Sequence, residues 1–341
     1  MTRDMRIRAA ICYPLCPMSS ESDSAISWRG IGHLVVVYLV WSSTYLAIRV
    51  AVRPGAGFPP FALAAMRSLA AAPLLLLWGK ARGLRVRPTW RELWILIASG
   101  VLLWAFGNAF VVLAERRVDS ALAAILIAST PIWVTVLESI IDRRLPSKLA
   151  GAGLAVGFAG VAVIGYPSLR TGVRADALAA AALLFASFSW GGGSLLQRRM
   201  PLTLNPVVSG GYQILFGGIS VALVSLAFAE PLPRPTASAW LGFGFLLVFG
   251  SLVSFTSFLK ALQLLPTRVV FTYSYVNPVL AAVFGWLILG ERIAPATFGG
   301  AALVLLGVAG AFRAVPENRS LAGIKRRDRN WLRRSFLKGH A

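Results

Sequence analysis

The 341-residue chain is 57% hydrophobic and only 14% charged, with a mean hydropathy of +0.71, far more apolar than a water-solvated domain of this size. Its net charge of +21 does not point to nucleic acid, because the basic residues sit in short gaps between apolar runs and at the two ends. Cys12 and Cys16, with no histidine nearby, support neither a disulfide framework nor a zinc site.

Residues 1–30 form a leader in which Arg3, Arg6 and Arg8 flank a short apolar patch broken by Pro14 and Pro17, a poor match to a cleavable signal peptide. The polar run SSESDSAIS after Met18 reads as an ordinary amino terminus, so Met18 is an alternative start to Met1. From there, apolar runs of about 20 residues, the length that crosses a hydrocarbon core, recur between polar or Gly/Pro-rich breaks. The expected spans are 31–52, 59–79, 92–113, 119–141, 148–166, 176–197, 206–229, 238–263, 267–289 and 295–313. The tail, 314–341, carries KRRDRNWLRRSFLKGH, which suits either a solvated charge cluster that fixes topology or, with Trp331 and Phe336, a contact with anionic lipid headgroups.

The two halves echo each other. Asn277-Pro278 lies at the centre of FTYSYVNPVLAAVFGWLILGER (271–292), and Thr130-Pro131 holds the same place in AILIASTPIWVTVLESII (124–141), 147 residues earlier. At that offset Ala114 matches Ala261, and Gly160-Val161-Ala162 matches Gly307-Val308-Ala309; Trp41 matches Trp190 at an offset of 149. Five spans per copy force the second copy to enter the membrane from the opposite side. The expected fold is therefore an all-α membrane protein of ten transmembrane helices in two inverted five-helix repeats, 31–166 and 176–313. Proline-interrupted segments at matching places in two halves point to a substrate site near the bilayer midplane, with Pro131 and Pro278 as hinges.

The segments WSSTYLAIR (41–49), FGNAFVVLAE (106–115), FGSLVSF (249–255) and SYVNPVLAAVFGWLILGE (274–291) resemble the EamA-repeat group of the drug/metabolite transporter superfamily, in its branch of ten-span bacterial inner-membrane exporters. The resemblance covers about residues 31–313; the first half departs from the second in having Thr130-Pro131 for Asn277-Pro278 and Asp142-Arg143 for Gly290-Glu291. It implies a transporter fold with a central cavity and leaves the substrate open among amino acids, nucleotide sugars, lipid-linked sugars and drugs.

Each midspan proline removes a helix hydrogen bond and frees the carbonyl four residues earlier, at Ile127 and Ser274. Thr130, Asn277 and Ser274 are thus placed to line a water-accessible site, together with the intramembrane polar residues Asn108 and Tyr275. Trp41 and Trp190 suit stacking on a planar or cationic substrate, and equally a packed core. Arg67 lies eight residues into its span, roughly 12 Å down at about 1.5 Å per residue, with no acid at equal depth; it suits reading a substrate carboxylate or bonding to neighbouring carbonyls. Glu115 and Glu138, near span ends, are expected to face interfacial water, Glu138 being the one candidate proton carrier inside the membrane. Gly153 and Gly157 have the spacing of a helix–helix contact, within the bundle or across a homodimer.

The leading functional reading is a secondary transporter that exports small metabolites, amino acids or drugs by alternating access, with a small-molecule substrate and membrane lipids as its partners. A lipid or lipid-linked flippase would share the fold and differ in a lateral opening. An intramembrane enzyme would need equipment that is missing: His33 and His340 lie at a span edge and in the tail, and no metal cluster or carboxylate pair shares a depth. No catalytic residue, metal or cofactor is expected.

Orientation follows from lysine and arginine: with both termini in the cytoplasm of a bacterial inner-membrane protein, 25 basic residues fall inside and 8 outside. Alkaline phosphatase, active only outside, is therefore expected to be inactive when fused after Phe312. High phosphatase activity of that fusion would reverse the orientation.

Overall fold

The computed structural model describes residues 27–117, 123, 126–170, 177–289 and 295–313; the leader with Cys12, Cys16 and Met18, the basic tail, and Gly290-Glu291 lie outside them. In chain order the helices are α1 (Trp28–Val52), α2 (Pro60–Ala81), α3 (Trp90–Ala114), α4 (Thr130–Asp142), α5 (Lys148–Arg170), α6 (Ala177–Arg199), α7 (Pro206–Ala227) and α8 (Ala237–Leu264). A single turn, Thr267–Val270, then leads into α9 (Tyr273–Leu289) and α10 (Pro295–Arg313). Among the described residues six helices are long and apolar enough to cross a membrane, namely α1, α2, α3, α7, α8 and Leu178–Arg199 of α6. Shorter apolar stretches lie in α5 and α10, while α4 and α9 adjoin residues outside the described set.

Local chemistry sets the helix starts. Ser27, Asn205 and Thr236 accept hydrogen bonds from the amides of Gly30, Val207 and Ala239, and Pro60 and Pro206 occupy first-turn positions where a missing N–H costs nothing. Thr89 and Glu92 close a reciprocal capping box at the start of α3. Leucine and phenylalanine cover the outside of the bundle, with Leu77, Leu223, Leu241 and Leu305 each more than half exposed. Such an exterior suits hydrocarbon as solvent, and in water it would drive aggregation.

Two helix pairs join the repeats. In the first, Gly79 of α2 meets Val208 of α7, Leu75 meets Gly211 and Ser68 meets Gly218, so the two helices run antiparallel. In the second, Gly160 of α5 faces Gly300 of α10, Gly157 faces Gly307 and Gly153 faces Gly310, again antiparallel. Gly153 and Gly157 are therefore occupied within the chain, which assigns their spacing to packing of the bundle.

A carboxylate secures each end of the first pair. Glu92 accepts from Arg85 at 2.7 Å and from the Thr203 amide and hydroxyl at 3.1 and 2.8 Å, just before α7 begins. Glu230, just beyond α7, accepts from the Phe61 and Ala62 amides at 3.1 and 2.7 Å in the first turn of α2. There a carboxylate satisfies two orphan N–H groups and complements the positive end of the helix dipole.

Both α3 and α8 carry a π-helical stretch, Val101–Asn108 and Leu246–Ser254, at matching places in the two halves. The wider turn skips one residue of register and leaves carbonyls to be met otherwise; Ser251 donates to the Leu246 carbonyl at 3.1 Å.

The expected pair of midspan proline breaks takes a different form. Pro131 stands in the first turn of α4, behind a turn at Ala128-Ser129, so its missing N–H falls at a helix start. The Ile127 carbonyl is met by the Thr130 hydroxyl at 2.6 Å. In the second half the break lies at Phe271-Thr272, ahead of α9, and Pro278 sits within that helix. A hydroxyl that bonds back one turn closes both breaks, Thr272 donating to the Val269 carbonyl at 2.5 Å.

A Cβ on Gly307 would come within 2.5 Å of Gly157 Cα and 2.6 Å of its nitrogen, and backbone atoms cannot swing aside. Gly307→Val is expected to pry α5 from α10, at or above the roughly 1–3 kcal/mol typical of overpacking, and to lower the melting temperature of the detergent-purified protein. Gly299→Ala, on the same helix but with nothing within 4 Å, serves as the silent control. Equal melting of the two variants would remove the close contact.

Candidate functional site

The helix breaks, the π-helical stretch of α3 and the first-turn side of α2 all face one cavity. Its wall includes Trp41, Thr44, Tyr45 and Ile48 from α1, Arg67 from α2, Trp104, Gly107, Asn108 and Val111 from α3, and Thr130 at the head of α4. Ser187 and Trp190 from α6, Gly250 from α8, and Tyr273 and Asn277 from α9 complete it around about 700 Å³ of empty space, its mouth included. The lining comes from the second half of α1 and the first half of α2. The cavity therefore lies toward the end of the bundle where α1 gives way to α2.

Arg67 is its one buried cation among the described residues, only 3% exposed. Its guanidinium donates through Nη2 to Asn108 Oδ1 and lies 5.3 Å from the centre of the Trp104 ring. Nε has no hydrogen-bond partner among the described residues. The π-helical register places Asn108 opposite the arginine, with Trp104 one turn back on the same face. The result is a desolvated guanidinium, held by one amide and one aromatic face, at the wall of an open cavity.

The floor is aromatic. Trp41 and Trp190 meet edge to face at 5.4 Å, and Trp41 also packs on Tyr273 at 4.9 Å and Phe258 at 5.1 Å. Beneath it, Ser42 donates to Asn277 Oδ1 at 3.1 Å and the Tyr38 and Thr272 hydroxyls meet at 2.5 Å. Toward the other end of the bundle, where α1 begins, Arg198 donates to the Leu262 and Leu265 carbonyls at 2.7 and 2.6 Å, and Arg199 forms a two-bond pair with Asp142. That pair holds the Asp142 carboxyl below its usual range.

Six of the residues singled out in the sequence, Trp41, Arg67, Asn108, Thr130, Trp190 and Asn277, share this cavity. Ser274 and Tyr275 do not. On α9 the cavity face is set by Tyr273 and Asn277, one turn apart, and the three positions between them do not line it. The Tyr275 ring packs on Gly157 and its hydroxyl donates to the Leu154 carbonyl at 3.3 Å. Ser274 is buried with its hydroxyl unpartnered among the described residues. Tyr275 lines a separate hollow of about 400 Å³ with Pro131, Glu138 and Arg268.

Sequence reasoning missed Tyr45, Trp104 and Ser187, although Tyr45 follows Trp41 by one turn and Trp104 precedes Asn108 by one turn. It also misplaced Glu115. Rather than facing interfacial water, this residue is 9% exposed, and neither carboxylate oxygen has a hydrogen-bond partner among the described residues. Arg67, which the sequence left without an acid, has Glu115 within Coulombic range.

A bundle of apolar helices with a lipid-like exterior and, among the described residues, a cavity with a buried cation in its wall suits a membrane transporter. The chain belongs to the EamA-like transporter family, whose model matches residues 28–166 and again 177–313, one match per repeat. It is 31% identical to the uncharacterized inner membrane transporter YedA of Escherichia coli over 264 residues, covering 77% of this chain and 83% of that one. An uncharacterized transporter of Archaeoglobus fulgidus is 28% identical over 81% of this chain and 94% of its own. A crystal structure 22% identical in sequence superposes with a TM-score of 0.69 over 84% of this chain and 99% of that chain, a likeness of fold.

Asn108→Leu removes the acceptor of Arg67 Nη2 and is expected to cost about 1.5–3 kcal/mol, the worth of a hydrogen bond to a charged group. Arg67→Met combined with Asn108→Leu should cost clearly less than the sum of the two, because neither partner is then left buried alone. Thermal melts of the four proteins measure the coupling; strict additivity would mean that the two side chains do not depend on each other.

Proposed function

We propose that this chain is a secondary transporter of the bacterial inner membrane, with ten spans in two inverted five-helix repeats and both termini cytoplasmic. The inversion is supported by α2 with α7 and α5 with α10, which occupy equivalent places in the two repeats and run antiparallel. Its substrate is a small organic anion with a flat apolar part. The anionic group pairs with Arg67, and the flat part lies against Trp41, Trp104 and Trp190, with Thr130, Asn108 and Asn277 offering hydrogen bonds.

The observation that carries this reading is Arg67 itself. A guanidinium taken out of lipid and water alike, with Nε unpartnered, is expensive unless a second anion visits it. A planar fork suits a carboxylate through two parallel bonds, which a lysine cannot reproduce. Alternating access then consists of one repeat rocking on the other about the breaks at Ala128-Ser129, next to Pro131, and at Phe271-Thr272, so that the aromatic floor opens as the mouth closes.

Counterflow in proteoliposomes tests this directly, with small organic acids, amino acids, amines, sugars and lipid-linked sugars as labelled solutes. Acids bearing a flat apolar group are expected to exchange, and Arg67→Lys should cut that exchange about tenfold or more, near 1.4 kcal/mol, at unchanged protein yield. Exchange of amines alone would overturn the anion site. Exchange of lipid-linked sugars alone would replace the reading with a flippase.

A further inference from the structure

One buried titratable group beside the cavity has no part in the reading above. Along α3 and just past its end, Trp104, Asn108, Val111 and Glu115 recur every three or four residues, so they form one stripe on the helix. The first three line the cavity, and Glu115 continues the stripe one turn further. Its carboxylate is buried, with both oxygens unpartnered among the described residues.

Among the described residues the groups that act on it are few. From α1, Arg49 and Tyr45 lie within Coulombic range, and from α2, Arg67 does. The first turns of α6, packed on the end of α3, contribute only alanine, leucine and phenylalanine over residues 177–186. Burial is the largest influence and raises the Glu115 carboxyl well above its usual range, and the guanidiniums of Arg49 and then Arg67 oppose it. The protonation of Glu115 therefore depends on whether Arg67 is already neutralised by something else.

We propose that Glu115 is a proton-binding site linked to the substrate site, so that one proton is taken up for each organic anion bound. This rests on the anion site assigned to Arg67. At a pH where the empty protein ionises Glu115, its carboxylate is a counter-charge for both Arg49 and Arg67. When a substrate carboxylate pairs with the Arg67 guanidinium, Glu115 loses that support, and a proton from water bonds to one of its oxygens. The sum of charges at the site is the same empty and loaded: two guanidiniums and one carboxylate before, two guanidiniums, one carboxylate and one neutral acid after. The loaded site thus crosses the hydrocarbon without an added charge, which would be costly there. By linkage the two ligands strengthen each other equally.

The test uses the purified full chain in detergent with phenylacetate and benzoate as probes, over about pH 6 to about pH 9, where both stay ionised. Binding is followed by calorimetry in buffers of different ionisation enthalpy, which counts protons. The expected result is uptake approaching one proton per probe, with Kd rising up to about tenfold per pH unit where Glu115 would otherwise be ionised. Glu115→Gln, which mimics the protonated acid, should bind with a Kd independent of pH and no uptake; Glu115→Asp should retain uptake.

Binding without proton uptake in the unaltered protein would overturn the coupling and leave the anion site standing. Uptake that persists in Glu115→Gln would overturn the assignment to this residue. Failure of both probes to bind at any pH would remove the anion site and this proposal with it. The unaltered protein alone decides the proton count, so the coupling stays testable even where Glu115→Gln does not fold.

Discussion

A guanidinium inside an apolar bundle has to be paid for by its surroundings, and the architecture of the cavity follows from holding Arg67. Its amide partner, Asn108, comes from α3 at the end of a π-helical stretch, and its aromatic partner, Trp104, from the middle of that stretch. A regular α-helix would place these two side chains in a different register relative to each other and to α2. The matching π stretch in α8 brings Gly250 to the cavity wall beside Thr44 of α1, where a Cβ would come within 3.3 Å of the threonine methyl. Local irregularity in two helices is thus the means by which one charge is stabilised and one cavity kept open.

Rigidity is supplied elsewhere. The α2–α7 and α5–α10 pairs pack glycine against backbone or branched side chain, and the first is tied at both ends by carboxylates that cap amides of the other repeat. Neither Glu92 nor Glu230 lines the cavity. A reader of the sequence sees Glu92 only as a helix cap, yet it also fastens Thr203 from the other half of the chain. These contacts define a frame against which the cavity-lining segments of α1, α4, α6 and α9 can shift.

The sequence exposed the helices well because length and hydropathy decide them, and it exposed the repeat because identities survive at a fixed offset. Arg67, Trp41 and Asn277 could be picked out as polar or aromatic residues at depth, where any such side chain needs a reason. Rotational position was harder to read. Ser274 and Tyr275 share the depth of Asn277 and face other helices, because a helix turns about 100° per residue and the break that sets its phase lies at Phe271-Thr272 rather than at Pro278. Glu115 was misread for a related reason: proximity to a helix end suggested water, whereas α1 and α2 pack over it.

The same repeat offset gives the two ends of the cavity different chemistry. Arg49 and Arg198 stand 149 residues apart, the spacing that relates Trp41 to Trp190, each near the end of the first helix of its repeat. Arg198 reaches the end of α8 and donates to the Leu262 and Leu265 carbonyls. At the 147-residue offset the counterpart of Leu262 is Glu115, and Arg49 lies within Coulombic range of it. One end therefore has an arginine hydrogen-bonded to neutral carbonyls, the other an arginine within Coulombic range of a buried carboxyl. In the proposed cycle a proton on Glu115 weakens the attraction at the Arg49 end only and leaves the Arg198 end to be broken by the rocking of the repeats. If the two copies are inverted as proposed, a leucine in one and a glutamate in the other at equivalent positions give the two ends a different response to a proton.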